Sequence, residues 1–158
     1  MKSNRMKRTG FTLIELMIIV TIIGILAAIV IPTFSNANET AKAGAVTSQL
    51  NTIKKSLVMY NTDHDGVYPT DEQLISNQWQ VLTTTTDING DIAGSDFGPY
   101  FQKPPLNAFI NSSVVAADNS AAWQYTSSTG TILAVVPNDI YSTAESIQLN
   151  PSDLITAP

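Results

Sequence analysis

The feature that most constrains this chain is an apolar run near its N-terminus. Residues 11–31 read FTLIELMIIVTIIGILAAIVI, and Glu15 is the only charged residue among them. As an α-helix the run would span about 31 Å, close to the ~30 Å hydrocarbon core of a bilayer. Because a backbone in lipid must satisfy its hydrogen bonds internally, the run predicts a single transmembrane helix.

The ten residues ahead of this run are basic. They hold four of the eight Lys and Arg and no acidic residue. Basic residues beside a first apolar segment stay cytoplasmic, so we expect an inner-membrane protein with one pass, a cytoplasmic N-terminus and a periplasmic body. A cleaved secretory signal peptide and a plain uncleaved anchor are the two ordinary alternatives, and neither accounts for the carboxylate at position 15.

Composition restricts what the body of the chain can do. The 158 residues include no cysteine and one histidine, and the formal net charge is −5. The lack of cysteine excludes disulfides, zinc–thiolate sites and iron–sulfur clusters. An acidic chain is a poor match for nucleic acid, and neither a G-x-S-x-G elbow nor a P-loop is present. We therefore expect neither an enzyme nor a nucleic-acid-binding protein.

Glu15 is the informative residue of the apolar run. An ionisable group in a transmembrane segment costs free energy, although one near the end of the segment can reach water. The alternative is a cationic partner, which a new N-terminal amine at Phe11 would supply on the same helix or on a neighbouring chain. Such a pair would be strong in a low-dielectric medium and would set the axial register between packed helices.

Residues 7–15, KRTGFTLIE, resemble the processing site of type IV prepilins and type II secretion prepseudopilins. The likeness includes the basic leader ending in Gly10, the Phe11 and Glu15 positions, the apolar helix and Pro32. It implies that a prepilin peptidase cuts between Gly10 and Phe11 and N-methylates Phe11. It also implies that Phe11 and Glu15 act in assembly. Because proline cannot donate a backbone hydrogen bond, Pro32 is expected to kink the helix just outside the membrane.

The resemblance and the hydrophobic pattern together predict an α+β, pilin-like fold. Residues 1–10 are the cleaved leader, residues 11–31 the transmembrane or filament-core helix, and residues 32–60 an amphipathic continuation. A long N-terminal helix would pack on a small antiparallel β-sheet, with its core stripe formed by Ala41, Val46, Leu50, Ile53, Leu57 and Tyr60.

Residues 61–158 are predicted to form a small α+β head. Thr70 and Gln73 have the spacing of a capping box, which predicts a short helix there. Strands are expected near residues 113–116, 123–126 and 131–136. The proline-containing residues 137–158 show little periodicity, so they are expected to be a loosely ordered tail.

Two groups of acidic residues are candidate sites. Asp87, Asn89, Asp91 and Asp96 offer oxygen ligands for calcium, but the spacing is not that of an EF-hand, and solvated loop acids are the simpler interpretation. Residues 63–66, DHDG, offer a metal or acid–base pair, against the simpler interpretation of a turn that ends the helix. Apart from this calcium candidate, no cofactor is expected.

Body segments at residues 68–70 and 98–105 are similar to type II secretion pseudopilins, most of all the major one. The favoured hypothesis is a subunit that polymerises into a pseudopilus for the export of folded proteins. Its expected partners are itself, the prepilin peptidase, an inner-membrane assembly platform and minor pseudopilins or pilins. A type IV pilin for adhesion or twitching motility and a membrane-anchored binding module that never assembles remain as alternatives.

Overall fold

The computed structural model describes residues 11–158, except for the side chains of residues 31–36. The leader, with Gly10, lies outside the described residues. A single helix, α1, runs from Leu13 to Asp63 and so joins the apolar run to the head. Pro32 lies within α1, but its side chain is among those not described, and the kink stays a prediction.

The described residues divide into two compact units, with the boundary between Asn38 and Glu39, and the second unit is Glu39–Pro158. In the first unit, Leu13–Val30 is long and apolar enough to cross a membrane. None of this stretch is buried within the protein, in contrast to the core helix of a soluble domain. The first half of α1 therefore carries a continuous run of unburied apolar side chains, which suits contact with lipid or with other helices.

The second unit has its own hydrophobic core. One face of α1 is buried against it through Ala43, Val46, Leu50, Ile53, Leu57 and Tyr60. Five of the six residues predicted for this stripe are thus confirmed, while Ala41 is exposed and Ala43 takes its place. The largest buried side chains opposite α1 are Trp79, Trp123 and Tyr125.

The predicted capping box after α1 is confirmed. The Thr70 amide donates to Gln73 Oε1 at 2.9 Å, and the Gln73 amide donates to the Thr70 hydroxyl at 3.2 Å. The turn that follows is a π-helical segment, Glu72–Ser76, rather than a continuous helix, and α2 is a single turn, Gln80–Thr83.

The sheet contains four strands in the order β1 (Val115–Ala116), β2 (Trp123–Thr126), β3 (Thr131–Val136) and β4 (Leu154–Thr156). Only β2 and β3 pair antiparallel, through the tight turn that holds Gly130. β1 pairs parallel with β2, and β4 pairs parallel with β3. The α+β class is confirmed, but the sheet is mixed, and the expectation of an antiparallel sheet was wrong.

One of the two parallel pairings, that of β3 with β4, arises because the C-terminal segment returns to the sheet. Residues 137–158 form α3 (Asn138–Ser142), two 3₁₀ turns and β4, and they bury Ile140, Ala144, Ile147, Leu149 and Leu154. Lys54 of α1 forms a 2.5 Å ion pair with Asp153 just ahead of β4. The expectation of a loosely ordered tail was therefore wrong, because short helices and one strand bury scattered apolar residues without a visible periodicity.

A side chain closes the outer edge of β1. The Gln78 side-chain amide donates to the Val115 carbonyl at 3.0 Å and accepts from the Val115 amide at 3.1 Å. Gln78 has a positive φ of 45°, in the left-handed region that non-glycine residues seldom adopt. Gln78 thereby takes the place of a fifth strand.

Candidate functional site

The first turn of α1 is organised by Thr12 and Glu15. The Thr12 amide and hydroxyl both donate to Glu15 Oε2, at 2.8 and 2.7 Å, and the Glu15 amide donates to the Thr12 hydroxyl at 3.2 Å. This reciprocal pattern is a capping box, which satisfies amide groups that a helix start leaves unpaired. Glu15 therefore helps to define the point at which the apolar helix begins.

Sequence reasoning missed this role of Thr12. The residues Thr12-Leu13-Ile14-Glu15 carry the T-x-x-E signature immediately before an apolar run, so the signal was present. Glu15 was interpreted only through its charge, as a partner for an amine. The structure adds a positioning function within the same chain.

The capping box leaves the Glu15 carboxylate open to a second partner. Both Thr12 donors use Oε2, and within residues 11–158 no hydrogen bond to Oε1 is found. A carboxylate accepts about four hydrogen bonds, so capacity remains. Phe11 and Glu15 are both exposed at the start of α1, where a neighbouring chain can reach them.

Three of the four calcium candidates, Asp87, Asn89 and Asp91, lie in a turn that hydrogen bonds from backbone amides close. Asp87 Oδ1 accepts the amides of Asn89 and Asp91, at 2.9 and 2.8 Å, and Asp91 Oδ1 accepts the amide of Ala93 at 3.0 Å. These amide hydrogen bonds hold the pKa of Asp87 below its usual range. Across residues 11–158 no group of three or more His, Asp or Glu is arranged to hold a metal, so the structure does not bring the four candidates, Asp96 included, into one site.

His64, the centre of the other candidate, is a buried structural residue. It stacks on the Tyr60 ring at a centroid distance of 3.7 Å. Its Nδ1 lies 2.8 Å from the Tyr60 carbonyl and its Nε2 lies 3.1 Å from the Thr86 hydroxyl, so both ring nitrogens are engaged. Residues 63–66 thus form the turn that ends α1, in agreement with the simpler of the two interpretations of this segment.

Three buried or partly buried tyrosines predict a fall in stability at alkaline pH. Burial, with the Asp87 carboxylate adding to it, raises the pKa of Tyr60 to about 12, and burial also raises the pKa of Tyr100 and Tyr125. Tyrosine in the unfolded chain ionises near pH 10, so stability is fully present below that pH and is lost as the pH rises toward the folded values. Each tyrosine contributes a slope of at most about 1.4 kcal/mol per pH unit.

Urea unfolding of the unit Glu39–Pro158 between pH 8 and pH 11 measures this slope. Tyr60→Phe is the matched control, because within the described residues no hydrogen bond of its hydroxyl is found. The variant should keep its stability at pH 8 and lose less of it above pH 10. A slope equal to that of the unmodified protein would contradict the assignment to Tyr60.

Comparisons with known proteins find a family motif in the part of the sequence that contains the first turn of α1. Residues 5–31 match the family described as "Prokaryotic N-terminal methylation motif". The chain is 41% identical to the type II secretion system core protein G of Vibrio cholerae over 67 residues, which is 42% of this chain and 45% of that protein. It is 39% identical to the protein of the same name from Pseudomonas aeruginosa over 69 residues, 44% of this chain and 48% of that one.

A pilin is among the similar proteins as well. The type IV wide pilus major component PilA4 of Thermus thermophilus is 43% identical over 67 residues, which covers 42% of this chain and 51% of the pilin. No solved structure matches the chain. The chain thus matches about half the length of these curated relatives. Over that length, the resemblance of this chain to the type IV pilins and type II secretion pseudopilins, indicated by residues 7–15, is confirmed.

Proposed function

We propose that this protein is a structural subunit that is processed between Gly10 and Phe11 and polymerises into a type II secretion pseudopilus. The observation that carries the proposal is the start of α1. There an N-terminal methylation motif leads into an apolar helix that is exposed along its length, and Glu15, its single charged residue, is held by Thr12 at the first turn.

Assembly follows from what this arrangement can do chemically. Removal of the leader creates an amine at Phe11, and the carboxylate of Glu15 retains capacity for one more donor. Glu15 of a subunit already in the fibre neutralises the amine of an incoming subunit, while the apolar helices bundle in the core. The folded heads then form the outer surface, and extension of the fibre moves folded proteins outward.

The proposed partners and location follow from the same features. The precursor is anchored in the inner membrane by residues 11–31, with the basic leader in the cytoplasm and the head in the periplasm. It meets the prepilin peptidase there, and an assembly platform with minor pseudopilins or pilins starts the fibre. The amino-acid residues proposed to do chemistry are those of the leader junction and of Glu15, and we propose no catalytic role for the head.

The processing step predicts a defined mature N-terminus. Mass spectrometry of the protein from cells with a prepilin peptidase should find a chain that begins at Phe11 and carries one methyl group. Gly10→Val should accumulate the full-length precursor, because a β-branched side chain disfavours the close approach that glycine allows at a cleavage site. Thr9→Val is the matched control and should be processed. A chain that begins at Met1 in the unmodified protein would contradict the proposal.

A type IV pilin is the second candidate, and the 43% identity to the PilA4 pilin favours it. Deletion of the gene for this protein in its own organism distinguishes the two candidate functions. Loss of protein secretion with normal surface motility supports the pseudopilus, whereas loss of twitching or adhesion with normal secretion supports the pilus. The length of sheared fibres gives a second readout of the same choice.

A further inference from the structure

The charges of the head are unevenly distributed. Residues 61–158 contain eleven Asp and Glu but only one lysine, Lys103, whereas α1 contributes Lys42, Lys54 and Lys55. The pair of Lys54 with Asp153 is the only ion pair within the described part of the chain. Among the described residues, Lys55 and most of the acidic side chains of the head thus form no ion pair.

Lys55 is the centre of an exposed patch on α1. Val58 and Met59 follow it at helical spacings of three and four residues, which places all three on one face. Val58 is 57% exposed and Met59 is 55% exposed, and this face lies opposite the one that buries Ile53 and Leu57. We call Lys55, Val58 and Met59 the outer helix patch.

A compact loop presents the complementary features. Residues 86–97 are closed by the bridge between Thr86 and Phe97 and hold Asp87, Asp91 and Asp96 with no lysine or arginine. Ile88 is 43% exposed and Ile92 is 41% exposed, so aliphatic side chains stand among the carboxylates. We call residues 86–97 the acidic loop.

The two surfaces of one copy face away from each other. The acidic loop packs on the buried side of α1, where Thr86 contacts His64 and Gly90 lies against the Tyr60 hydroxyl. A Cβ at Gly90 would clash with that hydroxyl, so the backbone of the loop lies directly against this side of α1. The outer helix patch lies on the opposite face, so only another molecule can connect the two.

We propose that the outer helix patch of one copy docks on the acidic loop of a second copy. Each surface pairs exposed aliphatic side chains with charge, and the signs are opposite, which favours association and suppresses contacts between like surfaces. Because the two surfaces differ, the contact is head-to-tail, and repetition of such a contact produces an open helical polymer. The inference rests on the proposed function and names a contact between heads within the fibre.

Charge reversal tests the contact in cells that assemble the fibre. Lys55→Glu should lower the amount of sheared fibre roughly tenfold, because like charges then face each other across the contact. Combination with Asp91→Lys and Asp96→Lys exchanges the signs and should restore assembly. Lys103→Glu makes the same change of charge at an exposed site outside both surfaces, so it is the matched control and should assemble normally.

Disulfide cross-linking gives a second readout, because the chain contains no cysteine. Val58→Cys and Ile92→Cys in one chain should give a ladder of oligomers on oxidation, while either variant alone stays monomeric. The inference is overturned if fibres form but Lys55→Glu leaves their amount unchanged, or if Val58→Cys cross-links with itself. If the unmodified protein is cleaved but forms no fibre, the proposed function fails, which is a different result.

Discussion

Fibres should disappear when Glu15 is replaced by glutamine, while the protein remains in the membrane. Glutamine keeps an oxygen that can accept from the Thr12 amide, as the capping-box pattern allows, but it carries no negative charge. The amine of an incoming Phe11 would then be moved into an apolar bundle without a counter-ion, which costs several kcal/mol. The amount of this protein in sheared fibres measures the loss of assembly, and its amount in the membrane fraction measures whether it remains inserted.

Two further variants, Glu15→Ala and Thr12→Val, distinguish the effect of the Glu15 charge on assembly from the effect of the capping box. Glu15→Ala removes both and should give the same loss of fibres as glutamine. Thr12→Val removes the hydroxyl that positions the carboxylate, so it should slow assembly without abolishing it. Glu39→Gln neutralises the other glutamate of α1, which lies in the second unit, and should assemble normally. Normal fibres from Glu15→Gln would show that the charge is not required.

The head should lose most of its stability when residues 151–158 are deleted. The truncation removes β4 from the edge of β3, the Lys54–Asp153 ion pair and the buried side chain of Leu154. Loss of a buried leucine alone costs about 2–5 kcal/mol, and the ion pair of two partly exposed side chains adds at most about 1 kcal/mol. Together with the lost pairing of β4, these losses are a large share of the stability of a small domain, which is about 5–15 kcal/mol.

Thermal unfolding of the unit Glu39–Pro158 measures the effect of the truncation. Deletion of Pro158 alone is the control, because that residue is exposed and follows the last strand. Asp153→Asn tests the ion pair separately and should lower the free energy of unfolding only slightly. A truncated head with an unchanged melting temperature would show that the C-terminal segment contributes no packing.

The sequence predicted α1, its buried stripe and the capping box at Thr70 because strong periodicity and cap chemistry act over a few residues. β2 and β3 were predicted for the same reason, since a short turn joins two β-branched and aromatic runs. β4 was missed because its three residues gain their order only from a distant partner, Val136 and its neighbours. Long-range pairing of this kind leaves no local pattern.

The candidate sites also differ in whether a local pattern in the sequence is enough to identify them. The proposed processing junction is recognisable because its resemblance rests on a short run of neighbouring residues, and Thr12 could have been added from its spacing to Glu15. The turn at Asp87 carried the oxygen-rich composition of a metal loop, but its carboxylates are used to accept backbone amides. Composition alone does not distinguish these two uses of aspartate, since both favour the same residues.

The side chain of Gln78 has a consequence for how copies of this protein accumulate. An uncovered strand edge in a membrane-anchored protein, held at high local concentration with its copies aligned, is a template for uncontrolled strand addition. At β1 that edge is occupied by an amide of the same chain. Copies of the protein that lie close together are thus protected at this edge against uncontrolled strand addition.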